Sequence, residues 1–213
     1  GQATELFAAE GHRIIATDLS QELLDKAQKR LQKYTNVTYV SGSFETIEIT
    51  SGMYDIVISA QAFHWIDPTI GLHKAYTALK DNGILALFWN FINFEEEPLL
   101  REIKDVLIAY APAFQEWPDA STTRFNSFSN YWYEQISSSI HFTQPQFEVI
   151  ASNITYVTDD FRKLIETFSW FQTLEEQNKH DLQEKLSERL SGTIVKINLP
   201  VRTIILTGIK AAA

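Results

Sequence analysis

The amino-acid sequence predicts an α/β fold of the doubly wound kind, built on a mostly parallel sheet, and two observations carry that expectation. Helical periodicity alternates with short apolar runs through residues 1–92, and three of those runs are almost continuously apolar, as strands covered on both faces are. The chain also opens inside a motif: a helix pattern begins almost at residue 1 and leads straight into a run ending on an acid, Asp18.

Taken in order, Ala3, Leu6 and Phe7 mark a first helix and Gly11 stops it. "HRIIAT" is a buried strand ending at Asp18. Ser20 is an N-cap with Glu22 in the first turn, and Leu24, Ala27 and Leu31 form the buried stripe of a second helix. "NVTYV" and "YDIVIS" are the next strands. Asp67 followed by Pro68 starts a helix whose face carries Leu72, Ala75, Tyr76 and Leu79. "DNG" then turns the chain into "ILALFW".

After Trp89 the rhythm changes. Leu99, Ile103, Val106, Leu107 and Tyr110 predict a helix ending before Pro112. The aromatic-rich residues 113–135 read as a covering insertion rather than framework. "FEVIASNITYV" is a strand, and Phe161, Leu164, Ile165 and Phe168 predict a helix capped by Thr158 or Asp159. A polar helix from Leu174 to Leu190 is stopped by Gly192, and "TIVKINLPVRTIILTGIK" closes the chain as one or two strands, a late one pairing antiparallel at the sheet edge. The expectation is one Rossmann-like domain over 1–213. Residues 1–92 form its cofactor half, about 93–146 and 158–192 lid and substrate segments, and 147–157 and 193–210 closing strands.

Composition narrows the function classes. The 213 residues are 45% hydrophobic and 13% aromatic, enough for a sizeable core and against disorder. The formal charge of −9, without a basic stripe, argues against nucleic-acid binding. With no cysteine there are no disulfides or thiolate zinc sites, which suits a reducing cytoplasm. No apolar run approaches the roughly 20 residues of a membrane span, and no signal-peptide pattern is present. The five histidines lie far apart in sequence, with no His-x-x-x-His pair, so no metal site is expected.

The opening has a physical explanation. A nucleotide-binding domain of this fold runs strand, glycine-rich turn, helix, strand, acid; the turn lets the backbone approach the ligand and the acid accepts ribose hydroxyls about 20 residues on. Gly1 stands where the last glycine of such a turn would, and Asp18 where the acid would. The expectation is that the first strand is missing from this chain and that the strands ending at Asp18 and Ser59 flank its place, since buried unpaired backbone groups cost about 1–3 kcal/mol each.

At these residues a resemblance becomes specific. "GQATELFAAEGHRIIATDLSQELLDKA", "GSFETI", "YDIVISAQAFHWID" and "LKDNGILALFWN" resemble successive motifs of class I S-adenosylmethionine-dependent methyltransferases, above all the small-molecule group that includes trans-aconitate methyltransferase. "AQAFHWID" and "FWN" are the most specific pieces; the later region matches only in layout. The resemblance implies S-adenosylmethionine as cofactor. It places Gly1 under the methionine portion, Asp18 on the ribose, Leu19 beside the adenine, Ser43 and Phe44 at the adenine edge, and Ala60 and Gln61 at the methionine amino group. The family often has Asp where Ser43 stands, and Glu45 either compensates or is a solvated charge.

The resemblance also puts His64 and Trp65 on the floor of the cleft, His64 as general base or as structural residue. Trp89 faces cleft or core, and Trp170 with Phe171 lines a substrate lid or packs as core. Arg101, Lys104, Arg124 and Arg162 are candidates to hold an acidic substrate. The expected partner is a small-molecule methyl acceptor, with carboxylate O-methylation one outcome because a carboxylate needs no base, and the expected state is monomer or homodimer. Two other readings stay open: a nicotinamide-dependent oxidoreductase, which shares the opening, and a catalytically idle nucleotide-binding module.

Overall fold

In the computed structural model, which describes residues 1–117, 119–190 and 196–212, the helix–strand alternation begins at once. Helix α1 (Gln2–Ala9) leads to strand β1 (Ile14–Asp18), helix α2 (Gln21–Arg30) and strand β2 (Val37–Ser41). β1 and β2 pair in parallel, from Ile14 opposite Val37 to Asp18 opposite Ser41, as a two-stranded sheet. Local chemistry sets these elements: Gly11 ends α1 at φ +84°, and the Ser20 side chain accepts from the Leu23 amide to cap α2. Leu24, Ala27 and Leu31 are buried as the stripe requires, whereas Leu6 is exposed, so the α1 face is narrower than its periodicity suggests.

Strand β3 (Tyr54–Ala60), a short 3-10 helix (Phe63–Trp65) and helix α3 (Pro68–Ala78) follow. Asp67 caps α3 by accepting from the Ile70 amide, with Pro68 in the first turn. Strand β4 (Leu79–Ile92) absorbs the expected "DNG" turn. Asn82 has φ +61°, and a Cβ on Gly83 would lie 2.8 Å from the Lys80 carbonyl oxygen, so the bend is real but sits inside the strand.

Helices α4 (Pro98–Tyr110) and α5 (Thr123–Ser137) precede strand β5 (Phe142–Val157). Helices α6 (Thr158–Glu166), α7 (Ser169–Gln172) and α8 (Glu176–Leu190) then lead to strand β6 (Lys196–Lys210). The N-cap of α6 is Val157, one residue before the caps expected. Gly192, expected to stop α8, and the start of the closing strand at 193 lie outside the described residues.

The second sheet has the order β3-β4-β6-β5. The Leu79 carbonyl accepts from Lys210, Thr203 bonds Asn90, and the Asn93 amide reaches the Pro200 carbonyl, so β4 and β6 run antiparallel. Ala211 against His141 and Thr155 against Asn198 give the same sense for β5 and β6. The late antiparallel strand expected at the edge is therefore interior, and β5, exposed along most of its length, is the edge. The sheet is mixed, and the whole is a Rossmann-like α/β fold. β1 and β3 belong to different sheets.

Contacts divide the chain into two units. One comprises Gly1–Leu87, Gln135–Gln146 and Thr207–Ala213; the other comprises Phe88–Glu134 and Phe147–Leu206. In the second unit, α4 and α8 pack through Leu100, Ile103, Leu107, Leu182 and Leu186. Phe125 and Trp132 on α5 are buried too, and Phe114 just before it, so residues expected to cover the framework are themselves core. Among the described residues no helix is long and apolar enough to cross a membrane.

Candidate cofactor site

Asp18 ends β1, half-buried, at the carboxyl end of the parallel pair, where ligands of such sheets bind. Its Oδ1 accepts from the Ser20 amide at 2.9 Å and its carbonyl from the Gly42 amide at 3.0 Å. Oδ2 accepts no hydrogen bond among the described residues. Leu19 beside it is 77% exposed. Gly1 stands at the N-cap of α1, and a Cβ there would fall 2.9 Å from the Ala27 Cβ of α2. Close packing of one helix start on the next helix is what demands glycine there.

After β2 the chain turns at Gly42 (φ +146°), where a Cβ would meet Ile47 at 2.8 Å. Ser43 and Phe44 follow, both half-buried. Glu45 is not a solvated charge. Its carboxylate accepts from the Ser43 hydroxyl at 3.0 Å and from the Asp67 amide at 3.1 Å, tying this loop to the start of α3. Lys74 of α3 donates to the Glu45 carbonyl at 3.1 Å and to the Ile47 carbonyl, with its ammonium 5.9 Å from the Phe44 ring.

Ala60 ends β3, and Gln61 takes φ +56°, a left-handed conformation that costs a non-glycine residue on the order of 1–3 kcal/mol and recurs at ligand clefts. Phe63 is fully buried, while Trp65 is 68% exposed on the same short helix, with His64 between them and its ring 4.8 Å from the indole. Burial pushes the His64 imidazole pKa below the usual histidine value. Gly71 lets α3 approach this segment: a Cβ there would lie 2.8 Å from Ile66 and 2.9 Å from the Phe63 ring.

The remaining expected site residues lie in the second unit. Trp89 is 2% exposed, stacked on Trp132 at 5.6 Å and edge-on to Phe128 at 5.2 Å. Trp170 is buried between Phe114 and Phe168, its indole Nε1 without a hydrogen-bond partner among the described residues. All four candidate bases are engaged. Arg101 donates to the Glu95 carbonyl (2.6 Å), Lys104 pairs with Glu95 (2.6 Å) and Asp119 (2.9 Å), Arg124 with Glu116 (3.1 Å), and Arg162 bonds Gln183 (3.0 Å).

Sequence reasoning missed Arg202, which lines a polar cavity of about 420 Å³ with Asn93, Glu96, Ser121, Thr123 and Asn126. The Ala120 carbonyl, 3.0 Å from its guanidinium, and the Phe125 ring orient it. No local signal marks an arginine inside a closing strand as cavity-lining.

Comparison with known proteins places this arrangement. Residues 1–87 match the family model described as a methyltransferase domain. A methyltransferase-like protein of Schizosaccharomyces pombe, itself uncharacterised, is 27% identical over 195 residues, 90% of this chain and 69% of its own length. Malonyl-[acyl-carrier protein] O-methyltransferase of Halalkalibacterium halodurans is 33% identical over 82 residues, 37% of this chain and 30% of its own. Phosphoethanolamine N-methyltransferase 2 of Haemonchus contortus, solved with S-adenosyl-L-methionine, shares the fold with a TM-score of 0.51 at 17% identity, over 100% of this chain and 46% of that one. These likenesses disfavour the oxidoreductase reading and leave the trans-aconitate subgroup open. Residues 1–87 are thus similar to a methyltransferase domain, and the chain shares its fold with solved methyltransferases.

Proposed function

We propose that the chain methylates a small molecule, a carboxylic acid converted to its methyl ester, and that it belongs with the trans-aconitate-like group. The observation that carries the cofactor half of this reading is Asp18, at the carboxyl end of β1, whose Oδ2 accepts no hydrogen bond among the described residues. An ionised carboxylate in that place suits the ribose hydroxyls, and exposed Leu19 suits the adenine face. Ser43 and Phe44 meet the adenine edge, with Glu45 fixing the loop rather than contacting the ligand. Ala60 and Gln61 present backbone to the methionine amino group, and Gly1 lets α1 start close under it. A further strand between β1 and β3 would join the two sheets.

The cofactor supplies a methyl group activated by a sulfonium. The protein's work is to align the acceptor oxygen with that methyl group and exclude water. Trp65 offers an apolar surface for this, and His64 positions the acceptor; a carboxylate arrives ionised, so no proton need be removed. The likeness to malonyl-[acyl-carrier protein] O-methyltransferase supports an oxygen acceptor. In the second unit Arg202 lines a polar cavity of its own, while Trp89 and Trp170 shape that unit from within. Residues 93–146 and 158–192 select the substrate, in one domain functioning as monomer or homodimer in the cytoplasm.

The test is incubation with S-adenosylmethionine and a panel of small carboxylic acids, with methyl esters read by mass spectrometry. Ester formation is expected, and His64→Gln should retain activity to within about tenfold, since a true general base contributes about 10²–10⁴-fold. A loss of 10² or more in His64→Gln, or methylation of amines alone, contradicts the carboxylate reading.

A further inference from the structure

His73 on α3 and His141 just before β5 are distant in sequence yet adjacent in space, with His73 Nδ1 and His141 Nε2 3.4 Å apart and ring centroids at 5.0 Å. We propose that these two imidazoles form a binding site for a divalent transition-metal cation of the zinc class, independent of the cofactor site.

The spacing is the argument. Zinc is bound tetrahedrally by imidazole nitrogen at about 2.0–2.1 Å, which sets two ligand nitrogens about 3.3–3.4 Å apart. The pair already stands at that edge length. The backbones are anchored. The His141 amide donates to the Ser139 hydroxyl at 3.2 Å and its carbonyl accepts from Ala211 at 2.9 Å, while His73 lies inside α3. The Tyr76 ring packs 4.8 Å from His141 on one side. Lys210 sits 4.6 Å from the Tyr76 ring and donates to the Leu79 carbonyl. The outer position of His73 leaves the remaining coordination sites to water. Two imidazoles favour zinc, nickel or copper over magnesium, which demands oxygen ligands. A second cluster, His180, Asp181 and Glu184 on α8, offers one imidazole and two carboxylates, and Gln177 already donates to Asp181 at 2.8 Å. It serves as the competing control.

The experiment is calorimetric titration of the metal-free chain with zinc chloride at pH 7.5, magnesium chloride as comparison, and thermal unfolding with and without zinc. One zinc per chain is expected, with a rise in Tm that magnesium does not give. His73→Gln and His141→Gln should each lose both effects while keeping the metal-free Tm, and His180→Gln should keep both. No zinc binding, binding unchanged in His73→Gln or His141→Gln, or binding lost in His180→Gln overturns the assignment.

Discussion

Trp65 and Trp89 are the same residue type placed in opposite circumstances. Trp65 stands 68% exposed on a short helix after β3. Trp89 is almost wholly covered in the second unit, where Phe128 and Trp132 close over it and Phe91 meets Phe125 edge-on. Trp65 follows the end of β3, where the acceptor is proposed to lie; around Trp89, aromatic surface is spent on the core. On the proposed function, Trp65 belongs to a recognition set and Trp89 to a packing set, and exposure separates these two residues of one type.

Substitutions can break that comparison. Trp89→Ala should produce the largest change, a loss of about 3–5 kcal/mol in unfolding free energy measured with urea, because it removes a fully packed indole from an aromatic stack. A small effect would return Trp89 to the recognition set. Gly71→Ala should cost about 1–3 kcal/mol, since its methyl enters the space of Ile66 and Phe63. It should also lower methyl transfer by displacing the segment that carries His64 and Trp65. Trp65→Ala should change stability by no more than about 0.5 kcal/mol while reducing kcat/KM, a separation its tryptophan counterpart cannot show.

The smallest effect expected is pH-dependent. The His64 pKa is held below the value near 6.5 of an unfolded histidine by burial. Between those two values the unfolded chain binds more protons, so stability falls as pH drops through about 6.5 and levels off below the folded pKa. His141 shifts in the same direction, so His64→Gln should flatten part of the acid-side decline and leave the rest. An unaltered profile in that variant would remove His64 from the buried set.

What could be read from the sequence was local. The Ser20 and Asp67 caps, the Gly11 stop and the buried stripe of α2 follow from chemistry within one turn, and each appears in the structure. Asp18 at the end of its strand was legible for the same reason. Partner choice across the fold was not. Nothing near β6 says that it lies between β4 and β5, and nothing near Glu45 says that it bonds the Asp67 amide. The four bases singled out for an acidic substrate are held by neighbours that only the tertiary structure supplies, while Arg202 reads as an ordinary strand residue. His73 and His141 meet only because α3 and the approach to β5 share one unit.

The central claim is that Asp18 holds the cofactor. Calorimetric titration of S-adenosylmethionine into the protein and into its Asp18→Ala variant tests it most directly. Binding should weaken by about 1–3 kcal/mol when the carboxylate is removed, with the unfolding midpoint little changed. Equal affinity in the two proteins would contradict the account.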